Sequence, residues 1–174
     1  MTTVKFLSAG ALVLSIVGYT MYNNSAKPSH NQKAETAIAK TAALPDFVLK
    51  NEKGVALNLN SFKGKKVFVN LWATWCGPCR REMPSIEALY NKTKGKKVEF
   101  VMLSLDDDFN KAINYKASTK LTMPMYYPGA NLPALFNVDG IPATFVFNEK
   151  GELIKTIQGS TNYDTQEFVD LLTK

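Results

Sequence analysis

The spacing of apolar and polar positions divides the chain into three stretches. Phe6 to Ala26 carries no charge and Phe6 to Tyr22 is mostly apolar, with Lys5 just before it. That run is about the length that crosses the hydrocarbon core of a bilayer, although Gly10, Gly18, Ser8 and Ser15 dilute it. Residues 1–22 are therefore expected to be an uncleaved membrane anchor. A cleaved signal peptide is the alternative, poorly matched because Asn24-Ser25-Ala26 puts asparagine at the outer position of a small-x-small site. No cysteine follows the run, which excludes a lipid-modified N-terminus. Residues 23–43 are rich in Asn, Ser, Lys and Ala without a sustained apolar face and read as a flexible tether.

From Leu44 onward the pattern is that of a folded domain, 44–174. Phe47 to Leu49 and the alternating Val55 to Leu59 flank Asn51-Glu52-Lys53-Gly54, which predicts a hairpin. Lys66 to Leu71 is a short apolar strand. Met83, Ile86, Leu89 and Tyr90 then recur at helical spacing, with Pro84 inside the helix and Gly95 near its end. Val98 to Leu105 is almost continuously apolar, as a parallel strand covered on both faces is. Asp106-Asp107-Asp108 is expected to start a helix carrying Phe109, Ala112 and Ile113 on one side, because it lacks the glycine and glutamate of a calcium loop. Met123 to Tyr127 is a brief apolar stretch and Leu132 to Phe136 a brief helical one. Thr144 to Phe147, a turn at Asn148-Glu149-Lys150-Gly151 and Glu152 to Ile157 form a second hairpin. The last helix is expected to take Asp164 as N-cap and to bury Phe168, Leu171 and Leu172. This order implies an α/β fold with a mixed sheet, its right-handed crossovers placing helices on both faces.

Charge changes this picture little. The net charge is +6, but residues 1–43 hold four lysines against one glutamate and the rest holds 17 basic against 14 acidic residues. The clusters Lys63, Lys65, Lys66 and Lys94, Lys96, Lys97 flank Gly64 and Gly95 in turns that enter strands. With no aromatic residues interleaved, they read as solvated loop charge, and no nucleic-acid partner is expected.

The chemistry lies in Trp72-Ala73-Thr74-Trp75-Cys76-Gly77-Pro78-Cys79, at a strand-to-helix junction. Cys76 and Cys79 are the only cysteines, and His30, the only histidine, is far away, so an ordinary four-ligand metal site is not available. Two thiols at this spacing favour redox chemistry without a metal or other cofactor. At a helix N-terminus, Cys76 is expected to have a lowered pKa and to act as nucleophile, with the more buried Cys79 resolving the mixed disulfide. Gly77-Pro78 permits tight helix entry. Trp72 is expected in the core and Trp75 at the exposed surface.

These features resemble thioredoxin-fold proteins, and more narrowly the membrane-tethered TlpA/ResA-like group of thiol-disulfide oxidoreductases, over Leu44 to Lys174. The specific parts are Trp72 to Cys79, Pro84, Gly140-Ile141-Pro142-Ala143-Thr144, and the Pro45-Asp46-Phe47 opening with its hairpin. The resemblance implies a thioredoxin-like fold with an N-terminal β-hairpin and a helix-strand insertion between Asp106 and Gly140. It implies a cis-proline at Pro142, an acidic residue near the second cysteine at Glu82, and a substrate-binding surface from Trp75, Gly77, Pro78, Ile141 and Pro142. Plain thioredoxin has a buried aspartate six residues before its first cysteine, where this chain has Asn70, so that proton task would fall to Glu82 or water.

The function implied is a membrane-anchored reductase of protein disulfides on the periplasmic or extracytoplasmic side, as in cytochrome c maturation or a related thiol service. Its partners would be a client protein with a disulfide or thiol pair and an upstream membrane thiol donor. A dithiol oxidase is the nearest alternative and a redox-inert interaction module the one from another class. A peroxidase reading lacks the proline expected before the reactive cysteine.

Overall fold

The computed structural model describes residues 42–174. The expected anchor, and all of the expected tether except Ala42 and Ala43, lie outside them. Those two alanines are already bonded to the domain: the Ala42 carbonyl accepts from the Leu153 amide, and Ala43 bridges Glu152.

The described residues form one mixed sheet of strands β1 (Val48–Asn51), β2 (Ala56–Asn58), β3 (Lys66–Trp72), β4 (Val98–Ser104), β5 (Met125–Pro128), β6 (Ala143–Phe147) and β7 (Leu153–Gln158). Their spatial order is β2-β1-β5-β4-β3-β6-β7. The interior strand β3 is buried along its whole length, which is why its sequence is apolar on both faces rather than alternating. It runs parallel to β4, with Lys66 opposite Val98 and Trp72 opposite Ser104, and antiparallel to β6, with Leu71 opposite Ala143. Both predicted hairpins are present, β1 with β2 and β6 with β7.

Three α-helices connect or close these strands: α1 (Gly77–Thr93), α2 (Phe109–Thr119) and α3 (Gln166–Thr173). The expectation of helices on both faces does not hold. Phe68 and Trp72 of β3 share one apolar cluster with Met83, Ile86 and Leu89 of α1, Ala112 of α2 and Phe168 of α3. The crossovers β3-α1-β4 and β4-α2-β5 step the same way across the sheet, so a right-handed turn puts both helices on the same side. The other face is covered by residues outside the α-helices, including Leu44, Phe47, Leu59 and Phe136, packed on Val67, Val69 and Leu71. Leu59 and Phe136 sit in single 3-10 turns, Leu59–Phe62 and Ala134–Phe136.

Two helix starts also differ from expectation. The N-cap of α3 is Thr165, whose hydroxyl accepts from the Phe168 amide, whereas Asp164 pairs with Lys92. Leu171 is only half-buried, since the short helix turns Phe168 and Leu172 inward. Of the three aspartates, only Asp108 caps α2, accepting from the Asn110 amide.

Candidate functional site

The buried strand β3 delivers the chain to one pole of the sheet, where Ala73 to Trp75 turn it into α1. Cys76 is the N-cap of α1, in extended conformation, and Gly77 and Pro78 form the helix's first turn. Proline costs nothing there, because the first amides of a helix have no partner within it. Farther along, Pro84 cannot donate to the Arg80 carbonyl, so the ladder is broken one turn beyond the cysteines.

Cys76 and Cys79 are joined as a disulfide. The Cys79 amide points at Cys76 Sγ from 3.2 Å, so the sulfur occupies the place that a capping oxygen has in other helices. Both cysteines are buried, Cys79 completely, and Cys76 at 4% is the one with an edge to solvent. Cys76 Sγ lies 3.6 Å from the Ile141 carbonyl oxygen. In the disulfide the sulfur has no proton, so this is a contact; in the dithiol form the thiol gains an acceptor there. The Ile141–Pro142 bond is cis, and the Pro142 carbonyl accepts from the Gly159 amide. Antiparallel pairing of β6 with β3 is what brings this segment beside the cysteines.

Trp72 is fully buried and Trp75 is 67% exposed. Trp75 forms one wall of a groove of about 410 Å³ whose other lining includes Leu105, Leu132, Phe136, Val138 and Ile141. The turn that presents Trp75 and Cys76 is tied down by Asp106. Its carboxylate accepts from the Thr74 amide at 3.1 and 3.2 Å, from the Thr74 hydroxyl at 2.6 Å and from the Ser104 hydroxyl at 2.8 Å. Asp106 was expected at a helix start; instead the parallel pairing of β3 with β4 brings it, two residues past Ser104, against the turn that follows Trp72.

Beneath the disulfide lies a buried polar chain. Glu82 is 2% exposed, with Asn70 Nδ2 donating to one carboxyl oxygen at 2.9 Å and the Thr161 amide to the other at 3.3 Å. Burial pushes its pKa up to about 7, against the lowering effect of those donors. Asn70 also donates to Thr144 Oγ1, which shares a 2.6 Å hydrogen bond with the Tyr163 hydroxyl. Burial, with Glu82 nearby, holds that phenol protonated well above the usual tyrosine range. Thr161 and Tyr163 had no sequence signal of their own, and Thr144 had one only as the end of the Gly140 to Thr144 segment. They join the site only because β6 and the loop before α3 close over β3.

The comparisons with known proteins agree on one group. Residues 39–172 match the family model described as Redoxin. The chain is 34% identical over 165 residues to the thiol-disulfide oxidoreductase ResA of Bacillus cereus, covering 93% of this chain and 92% of that protein. It is 36% identical over 166 residues to the thioredoxin-like protein YneN of Bacillus subtilis, covering 94% and 96%. Among solved structures, a thiol:disulfide interchange protein of the thioredoxin family from Chlorobium tepidum superposes with a TM-score of 0.65 at 26% identity, over 75% of this chain and 95% of that one.

Proposed function

Because the chain belongs to the redoxin family and is a thiol-disulfide oxidoreductase, we propose that it works as a reductase of protein disulfides. The observation that carries this reading is the Cys76–Cys79 pair at the start of α1, with Cys76 facing the Ile141 carbonyl and an apolar groove alongside. In the dithiol form the free amides and dipole of α1 favour the Cys76 thiolate. That thiolate attacks one sulfur of a client disulfide, forming Cys76–S–S–client and expelling the other client sulfur as thiolate. Cys79, deprotonated, then attacks Cys76 Sγ and releases the second client thiol. The client gains two electrons and two protons, the enzyme becomes the disulfide seen here, and a dithiol donor must reset it.

Glu82 is the proposed proton acceptor for Cys79, one turn along α1. With its pKa near 7 it exists in both protonation states around neutral pH, which suits a group that takes a proton and returns it. Trp75, Gly77, Pro78, Ile141 and Pro142 are proposed to hold the client chain. Pro142 has no amide, so it leaves its neighbouring backbone edge open to an extended peptide.

We place the domain outside the cytoplasm, held to the cytoplasmic membrane by residues 6–22, in a thiol service such as cytochrome c maturation. The uncharged run supports this placement, as does the need for a reductase where disulfides persist. Among the described residues no helix is long and apolar enough to cross a membrane. Insulin reduction coupled to a dithiol donor tests the reaction: the wild type should turn over and Cys76→Ser should not. Equal rates would remove the cysteine from the mechanism. Equilibration with glutathione buffers tests the direction. A potential near that of thioredoxin supports the reductase, and one near about −120 mV makes the protein an oxidase instead.

A further inference from the structure

The lysine clusters that looked like scattered loop charge converge in the fold. Lys63 and Lys65 lie in the turn before β3, Lys94, Lys96 and Lys97 in the turn before β4, and Lys150 in the turn between β6 and β7. Hydrogen bonds join the three turns at one pole of the sheet: the Gly64 amide donates to the Glu149 carbonyl, and the Lys66 amide to the Lys97 carbonyl. The Lys63 side chain also packs over Gly151, with Cε 3.2 Å from where a β-carbon would stand. Among these six lysines lie three carboxylates, Glu99, Glu149 and Glu152, and among the described residues only Lys65 of the six is in an ion pair, with Glu99. The dithiol pole lacks this excess, with Asp106, Asp107, Asp108 and Asp139 against Arg80, Arg81 and Lys111.

The chain enters the domain at the basic pole. Ala43 bridges Glu152 and the Leu44 amide donates to the Gly151 carbonyl, so the uncharged run at residues 6–22 precedes a point beside Lys63 and Lys150. We propose that this pole docks on a bilayer of anionic phospholipid, a step that rests on the anchored reading above. A nucleic acid fits less well, because the rings beside these lysines, Phe62 under Lys65 and Tyr90 beside Lys94, are half-buried, and none is exposed for bases to stack on. Lipid contact at this pole has a consequence for the chemistry. Seven residues of β3 separate the poles, about 20 Å at the usual rise, so the docked domain faces its dithiol away from the lipid toward soluble clients.

The test is lysine footprinting of the full chain in vesicles of phosphatidylcholine alone and of phosphatidylcholine mixed with phosphatidylglycerol, read by mass spectrometry after amine acylation. Docking predicts that Lys63, Lys94, Lys96, Lys97 and Lys150 are acylated about fivefold or more slowly in the anionic vesicles. High salt should restore their rates, while Lys111 and Lys155 stay constant as references. The variant Lys94→Glu/Lys96→Glu/Lys97→Glu should lose protection at Lys63 and Lys150 yet keep wild-type insulin reduction. Unchanged relative rates in the two lipids overturn the proposal, even if the chain floats with both vesicles and the anchor is thereby upheld. Failure to float with neutral vesicles would instead reject the anchor, on which the docking rests. Equal protection by a single-stranded RNA oligonucleotide at the same salt overturns the choice of lipid.

Discussion

Two carboxylates, Glu82 and Asp106, show how much a single position can carry. Glu82 has an ordinary pKa of about 4.5 when unfolded and about 7 in the fold, so between those values the folded state binds the extra proton. Stability from this group is therefore greatest below about pH 4.5 and falls as pH rises toward 7. Glu82→Gln removes that slope. Denaturant unfolding should find the variant matched with wild type near pH 4 and more stable near pH 8, by on the order of 3 kcal/mol. A difference between variant and wild type that does not grow over that interval would contradict the buried, raised carboxyl. The same variant should slow the step that resolves the mixed disulfide, read by single-turnover kinetics, with less effect on the first attack.

Asp106 acts on the reaction only through the turn it holds. Asp106→Ala leaves the Thr74 amide and hydroxyl without their acceptor and should cost on the order of 2 kcal/mol, measured by thermal or denaturant unfolding. Thr74→Val, which removes only the hydroxyl's bond, should cost about 1 kcal/mol. The two cysteines were legible from their spacing, and Pro142 and Glu82 from the resemblance. Asp106 was not, because one symbol in an Asp-Asp-Asp run does not reveal which carboxylate turns back across the strand ends.

At the scale of elements, the apolar pattern located both hairpins, β3, β4 and the three α-helices, left β5 as a brief apolar stretch, missed the 3-10 turn Leu59–Phe62, and placed the start of α3 one residue early. Asp164 and Thr165 are both competent caps, and the difference lies in what else each can reach: Asp164 meets Lys92 of α1, leaving Thr165 to cap. Thr165→Ala should therefore destabilise the protein by about 1 kcal/mol. Asp164→Ala, which loses only an exposed ion pair, should change stability by less than about 0.5 kcal/mol. Comparable losses in both variants would return the cap to Asp164. A second tie on α3 is the buried Lys66, whose ammonium donates to the Leu171 carbonyl at 2.8 Å and so satisfies the C-terminal end of the helix.

For the whole molecule, the strand order decides what the sequence order alone leaves open. Alternating strands and helices suggested a sheet covered by helices on both faces. Because β4 and β5 are added in the same direction from β3, α1 and α2 gather on one face. The other face is closed by Leu44, Phe47, Leu59 and Phe136, all of which lie outside the α-helices. The same topology sets the dithiol, the Ile141–Pro142 segment and the groove at one pole and the lysine-rich turns at the other.

The central claim is the division of labour between the two cysteines. It is tested by incubating Cys79→Ser and Cys76→Ser, each reduced, with a peptide containing one disulfide, and weighing the products by mass spectrometry. Cys79→Ser should accumulate one peptide covalently joined at Cys76, and Cys76→Ser should remain free of adduct over the same time. Adduct on Cys79 forming as fast as on Cys76 would contradict the account.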